Sequence, residues 1–186
     1  MIGVRLPNPL GDKFQPRRIN RAPSPILARG VPWLLVALAS ITPHWLVIAS
    51  APILPPFGFL MLLAWRQLHP GVLPMWAGLP LGFVDDLFSG QPFGSAILLW
   101  SLTMILFDFI ETRFPWRNFL AEWLVASALL VVYAMLGLIA VSLAGASAPV
   151  AVLVPQITVG ILVYPLVARL VAAFDRFRLL PFMVVR

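Results

Sequence analysis

The sequence has no cysteine, which excludes disulfides and thiolate-ligated metals. It is also poor in charge. Asp, Glu, Lys and Arg make up 11% of 186 residues, against roughly 25% in soluble globular domains. His44 and His69 are the only histidines, and neither sits in an HxxxE pattern, so no ordinary metal-ligand set is present. No P-loop, GxSxG or HExxH segment occurs, which removes the usual signatures of phosphate binding, serine hydrolysis and zinc proteolysis. No cofactor is expected. What the chain has in excess is apolar side chain, at 61%. A water-soluble domain of this length could not bury so much of it, so most of the chain is expected to have lipid as its solvent.

The order of the chain agrees. Residues 1–30 hold Arg5, Lys13, Arg17, Arg18, Arg21 and Arg29 against the single acid Asp12, interrupted by Pro7, Pro9, Pro16, Pro23 and Pro25. Proline stops helices, and no continuous apolar core of a signal peptide follows. The segment reads as a basic, Pro-rich cytoplasmic tail resting on anionic lipid. Apolar segments follow at about 31–50, 53–65, 71–89, 93–110, 119–143 and 149–171, and a basic end closes the chain at 174–186. A crossing needs roughly 20 helical residues. The segment 53–65 is short for that and begins at Pro55-Pro56, so it is either a thin span, a kinked one or a re-entrant one.

Charge sets the parity. With six crossings and the N-terminus inside, the inner segments are the tail, 66–70, 111–118 and the C-terminal end. Together with Arg169 at the inner end of the sixth span they contain all 13 Lys and Arg. The outer loops near 50–52, 89–93 and 144–148 contain none. This is the positive-inside pattern, and a failed second crossing would reverse it. The expected fold is an all-α integral membrane protein, a compact bundle of six transmembrane helices with a transmembrane domain at 31–173 and both termini cytoplasmic. Basic residues at span ends also argue against nucleic acid. Trp33, Trp45, Trp76, Trp116 and Trp123 fall near span ends, as an interfacial belt requires. Trp100 falls mid-span and reads as packing.

One stretch holds the candidate site. In 78–94, Asp85 and Asp86 sit in an otherwise apolar, Gly- and Pro-rich run, and glycines recur at Gly78, Gly82, Gly90 and Gly94. Four-residue spacing keeps one helix face small and lets a second helix approach. Asp86 lies on that stripe and Asp85 three residues from Gly82. Three roles remain open for the pair: holding the turn at Ser89, Gly90 and Pro92 by hydrogen bonds, recognising a partner or lipid, or serving as a proton or cation site. Asp108, Glu111 and Glu122 fall near the inner surface around Arg113 and Arg117, where interfacial ion pairs are expected. Ser101, Thr103 and Gln156 are candidates for hydrogen bonds between helices.

The segment Gly82-Phe83-Val84-Asp85-Asp86-Leu87-Phe88-Ser89-Gly90-Gln91-Pro92-Phe93-Gly94 resembles the bacterial MreD family of rod shape-determining proteins. That family has a segment of the form Gly-apolar-apolar-x-Asp-Leu-Leu-Ser-Gly-x-Pro-Leu-Gly. Its Asp falls on Asp86 and its glycines on Gly82, Gly90 and Gly94, while Asp85 is additional. The resemblance implies a non-enzymatic component of the cell-elongation machinery in the inner membrane, supporting peptidoglycan synthesis. Its implied partners are an MreC-like single-span protein, the actin-like MreB filament, the RodA glycosyltransferase and RodA's partner transpeptidase. It also implies a fold similar to the S-components of energy-coupling-factor transporters. Two functions therefore stand side by side. One is a scaffold that binds partner helices through small-residue faces, and the other is a small-molecule-binding subunit of a vitamin-type transporter. The second needs a pocket with converging polar groups.

Overall fold

The computed structural model describes residues 21–22, 25–45, 54–113, 118–146, 149–178 and 183–184. The tail through residue 20, the turn at 50–52, and Trp116 and Arg117 lie outside the described residues. The described residues form six α-helices: α1 Pro25–Trp45, α2 Phe57–Leu68, α3 Gly78–Phe88, α4 Ser95–Arg113, α5 Phe119–Leu143 and α6 Leu153–Arg178. Single 3-10 turns at Met75–Ala77 and Val150–Val152 lead into α3 and α6. Two-residue strands, β1 Arg21–Ala22 and β2 Met183–Val184, pair antiparallel.

Among the described residues, three helical segments are long and apolar enough to cross a membrane: Ser95–Arg113, Phe119–Leu143 and Val150–Arg178. α1 carries a shorter apolar run, Leu27–Thr42. α3 has 11 residues, or about 16 Å of helix. It is shorter than the expected segment 71–89 for a local reason. Gly71 adopts φ +97°, Pro70 bridges Leu73, and Pro74 is the N-cap of the 3-10 turn. Proline has no N–H to continue a helix through that point, so regular α-helix begins only at Gly78.

α2 has 12 residues, about 18 Å, and its position explains how so short an apolar helix is housed. Every residue from Gly58 to Arg66 is buried. A helix that is apolar on all sides belongs in the centre of a bundle. Here α1, α5 and α6 pack around it, so its flanks from Gly58 to Arg66 meet protein rather than lipid. Phe59 stacks on Tyr133 of α5 at 4.2 Å and lies 6.1 Å from Trp100 of α4. Leu60, Leu62, Leu63 and Trp65 are fully buried beside it. By contrast Leu98, Leu102, Ile105 and Phe109 on α4 are all at least half exposed. An outward apolar stripe of that size suits lipid and not water.

α6 contains Pro165, which cannot donate to the carbonyl of Ile161 four residues earlier. The indole Nε1–H of Trp123 on α5 donates to that carbonyl at 3.0 Å. A neighbouring helix thus supplies the donor that proline withholds, as an apolar solvent requires. Trp123, expected in an interfacial belt, has this structural task. Trp33 and Trp76 pair at 5.3 Å.

Candidate functional site

The joint between α3 and α4 is built from backbone constraints outward. α3 ends where the Ser89 N–H donates to the Asp85 carbonyl at 2.7 Å. The chain then turns through Gly90 at φ +67° and Gly94 at φ +93°, left-handed conformations that favour glycine. These two glycines therefore serve the turn, and only Gly78 and Gly82 act in helix packing. A Cβ at Gly78 would lie 2.8 Å from the Ser101 Cα, and one at Gly82 would lie 2.8 Å from the Ala96 carbonyl oxygen and the Ile97 Cα. α3 and α4 thus touch backbone to backbone. Pro92 accepts the Ser95 N–H at 3.0 Å, and α4 begins.

The first N–H groups of a helix have no partner within it. For α4 the partner is Asp86, four residues beyond Gly82 on the same face. Its Oδ1 accepts from the Ala96 N–H at 2.8 Å. Its Oδ2 accepts from the Gly94 N–H at 3.0 Å and the Ile97 N–H at 3.1 Å. The Ser95 hydroxyl lies 3.5 Å from Oδ1 and 3.4 Å from the Gln91 Oε1. A carboxylate borrowed from one helix therefore caps the next, where the positive end of the helix dipole favours negative charge. Asp86 is 6% exposed, and both of its oxygens are occupied.

Asp85 is equally buried, at 5%, and points elsewhere. It faces Ser40 of α1, yet the fully buried Ser40 hydroxyl closes no hydrogen bond of ordinary geometry. Tyr133 lies close enough to sense both carboxylates, with Trp100 and Gln91 beside its hydroxyl. The Tyr133 hydroxyl and the Trp100 Nε1 are likewise buried without a partner. Nothing in the spacing of Ser40 and Tyr133 sets them apart in the sequence.

A second polar cluster occupies the opposite end of the bundle. Arg66, 5% exposed, pairs with Glu111 at 2.9 Å and Asp108 at 3.2 Å. Arg66 thus reaches from α2 to these two acids of α4. His69 bonds Asp175 at 2.8 Å, and Arg178 Nε donates to the same carboxylate at 2.6 Å. Arg178 also reaches the Ala28 carbonyl at 2.6 Å and lies 5.4 Å over the Trp65 ring. Gln67 accepts from the Tyr164 hydroxyl and donates to the Glu122 carbonyl at 3.0 Å. This end ties α1, α2, α4, α5 and α6 together. The side chain of His44 is outside the described residues. Ser101 and Thr103 donate to the carbonyls of Ile97 and Leu99 in their own helix. A hydroxyl four residues on reaches that carbonyl without leaving its helix, so neither bridges helices. Among the described residues no group of three or more His, Asp and Glu could hold a metal ion.

Long apolar helices, a shielded central helix and polar contacts gathered at the two ends define a helical membrane protein. The chain belongs to the MreD family, since the family model for rod shape-determining protein MreD matches residues 26–174. That membership gives it a role in determining rod shape. No curated protein and no solved structure matches the chain.

Proposed function

We propose that this chain is a non-enzymatic membrane scaffold of the bacterial cell-elongation complex. In this reading it crosses the inner membrane six times with both termini cytoplasmic. It supports peptidoglycan synthesis by holding partner transmembrane helices. The observation that carries the proposal is the use made of Asp86. Its acceptor oxygens are taken up by the Gly94, Ala96 and Ile97 N–H groups, so the carboxylate fixes the α3–α4 joint and is committed to structure. Beside that joint α1 and α3 turn Leu34, Leu38, Leu79, Phe83 and Leu87 outward. This gives a rigid apolar face of the kind a single-span helix packs against. The partners implied by the family resemblance are an MreC-like protein, the MreB filament, RodA and RodA's transpeptidase. The exposed Arg29, Arg169 and Arg176 suit contact with anionic lipid.

Depleting the chain from its own host tests the cellular part of this proposal. Cells should lose rod shape while the catalytic activity of extracted wall synthases is unchanged. Rods that persist through complete depletion would refute it.

A further inference from the structure

A cavity of about 160 Å³ lies beyond the joint. Its walls are aliphatic, with Leu130, Leu138 and Val141 from α5, Leu153 and Ile157 from α6, and Val152 just before α6. Its polar lining is confined to Gln91, Tyr133 and Gln156, and no charged side chain borders it. An apolar hollow with a few converging polar groups is the usual form of a small-ligand site.

Two further observations point to a ligand. Tyr133 is 4% exposed, and its hydroxyl closes no hydrogen bond of ordinary geometry, with Trp100 and Gln91 beside it. Gln156, expected to link helices, is half-buried and lines the same cavity. Buried polar groups are normally paired, and leaving one unpaired costs about 1–3 kcal/mol. The second observation is Gly137. A Cβ there would meet only the Gln91 Oε1, at 3.9 Å. This glycine is therefore not required by a neighbouring backbone, unlike Gly78 and Gly82. It leaves space open beside Gln91.

We infer that this cavity binds a small neutral amphiphile dissolved in the bilayer, an aliphatic chain bearing one hydroxyl or amide. Gln91, Tyr133 and Gln156 bond the polar group, and the α5 and α6 side chains enclose the chain. Neutrality follows from the uncharged lining, since no side chain that borders the cavity would pair directly with a charged ligand. The volume limits the part held inside, because a cavity of about 150 Å³ admits a benzene-sized molecule, and the rest of a longer chain extends from it toward the bilayer. Entry from the bilayer follows from the walls, which belong to two helices apolar enough to be membrane spans. The inference is independent of the scaffold reading, since a scaffold needs no ligand here.

The test uses the full chain in phosphatidylcholine–phosphatidylglycerol nanodiscs with a diazirine-bearing octanol as photoprobe. Labelling is mapped by mass spectrometry. Saturable labelling is expected within 136–141 and 152–157, at least fivefold reduced by excess n-octanol. Gly137→Leu, which fills the hollow, should reduce it at least fivefold with the melting temperature retained. Gln156→Leu keeps the side-chain bulk and removes the polar group, and should weaken labelling several-fold. It provides the reading if Gly137→Leu does not fold. Labelling that does not saturate, or that spreads over the outward residues Leu98, Leu102 and Ile105, overturns the inference. So does saturable labelling that the folded variants leave unchanged.

Discussion

Replacing Asp86 by Asn separates hydrogen bonding through two oxygens from the mere presence of a polar side chain. The wild-type Oδ1 serves Ala96 N–H, and Oδ2 serves Gly94 N–H and Ile97 N–H. Asn has one acceptor oxygen, and its other group is an NH2 that faces donors. In the better orientation the oxygen keeps Gly94 and Ile97, and the Ala96 N–H is stranded. A stranded buried donor costs about 1–3 kcal/mol. Losing the negative charge at the start of α4 costs about 0.5–1 kcal/mol more. Asp86→Asn should therefore cost about 2–3 kcal/mol. Asp86→Ala strands all three N–H groups and should cost about 4 kcal/mol or more. For a chain of this size each kcal/mol moves the melting temperature by about 2–4 °C, so shifts near 8 °C and 12 °C are expected. The assay is fluorescence-detected size-exclusion melting in mild detergent, with membrane abundance measured in parallel. Asp85→Asn is the matched control. Asp85 caps no backbone N–H, so its melting temperature should hold or rise as a buried charge is removed. Equal melting of Asp86→Asn and wild type would refute the capping argument, as would a larger loss at position 85 than at 86.

Three further outcomes follow from particular contacts. Gly82→Leu should prevent the α3–α4 approach, because its Cβ already falls 2.8 Å from backbone atoms of α4; loss of the monodisperse peak on size exclusion reads this, and normal folding would be contrary. Gly90→Ala meets no atom within 4 Å but must hold φ +67°, so it should cost about 1–2 kcal/mol, seen as a drop of a few degrees in melting temperature. Trp123→Phe should cost about 1–2 kcal/mol by stranding the Ile161 carbonyl, and much less in a Pro165→Ala background, where an N–H returns to that carbonyl; a double-mutant cycle with no coupling would contradict this.

Much of this arrangement can be read from residue types, and the boundary is physical. Apolar excess and scarce charge point to lipid, because solvent acts on the chain as a whole. The four-residue spacing of Gly78, Gly82 and Asp86 is legible because helix geometry repeats. The different duty of Gly90 and Gly94 is not, since the same spacing continues past the end of α3 and only the backbone angles tell them apart. Asp85 and Asp86 look interchangeable in sequence. They separate once α4 is in position, because adjacent helical residues point about 100° apart. The centrality of α2 is hidden for a similar reason. A short apolar run reads as a thin span until Phe59 and Trp65 are seen enclosed on every side. Arg66 pairs with acids on α4 and Asp175 with His69 just past α2, and no local pattern reports these, whereas the Arg178–Asp175 pair sits at a three-residue helical spacing that the sequence does display. Ser40, Gln91 and Tyr133 converge through tertiary packing alone.

The central claim is that the chain holds partner helices on a rigid, Asp86-capped joint. Its most direct test is co-purification of the tagged full-length chain from host membranes in mild detergent, with wild type compared to Gly82→Leu. The scaffold account predicts that an MreC-like single-span protein co-elutes with wild type and is lost with the variant. Wild-type chain that is folded, abundant and elutes without any such partner would contradict it.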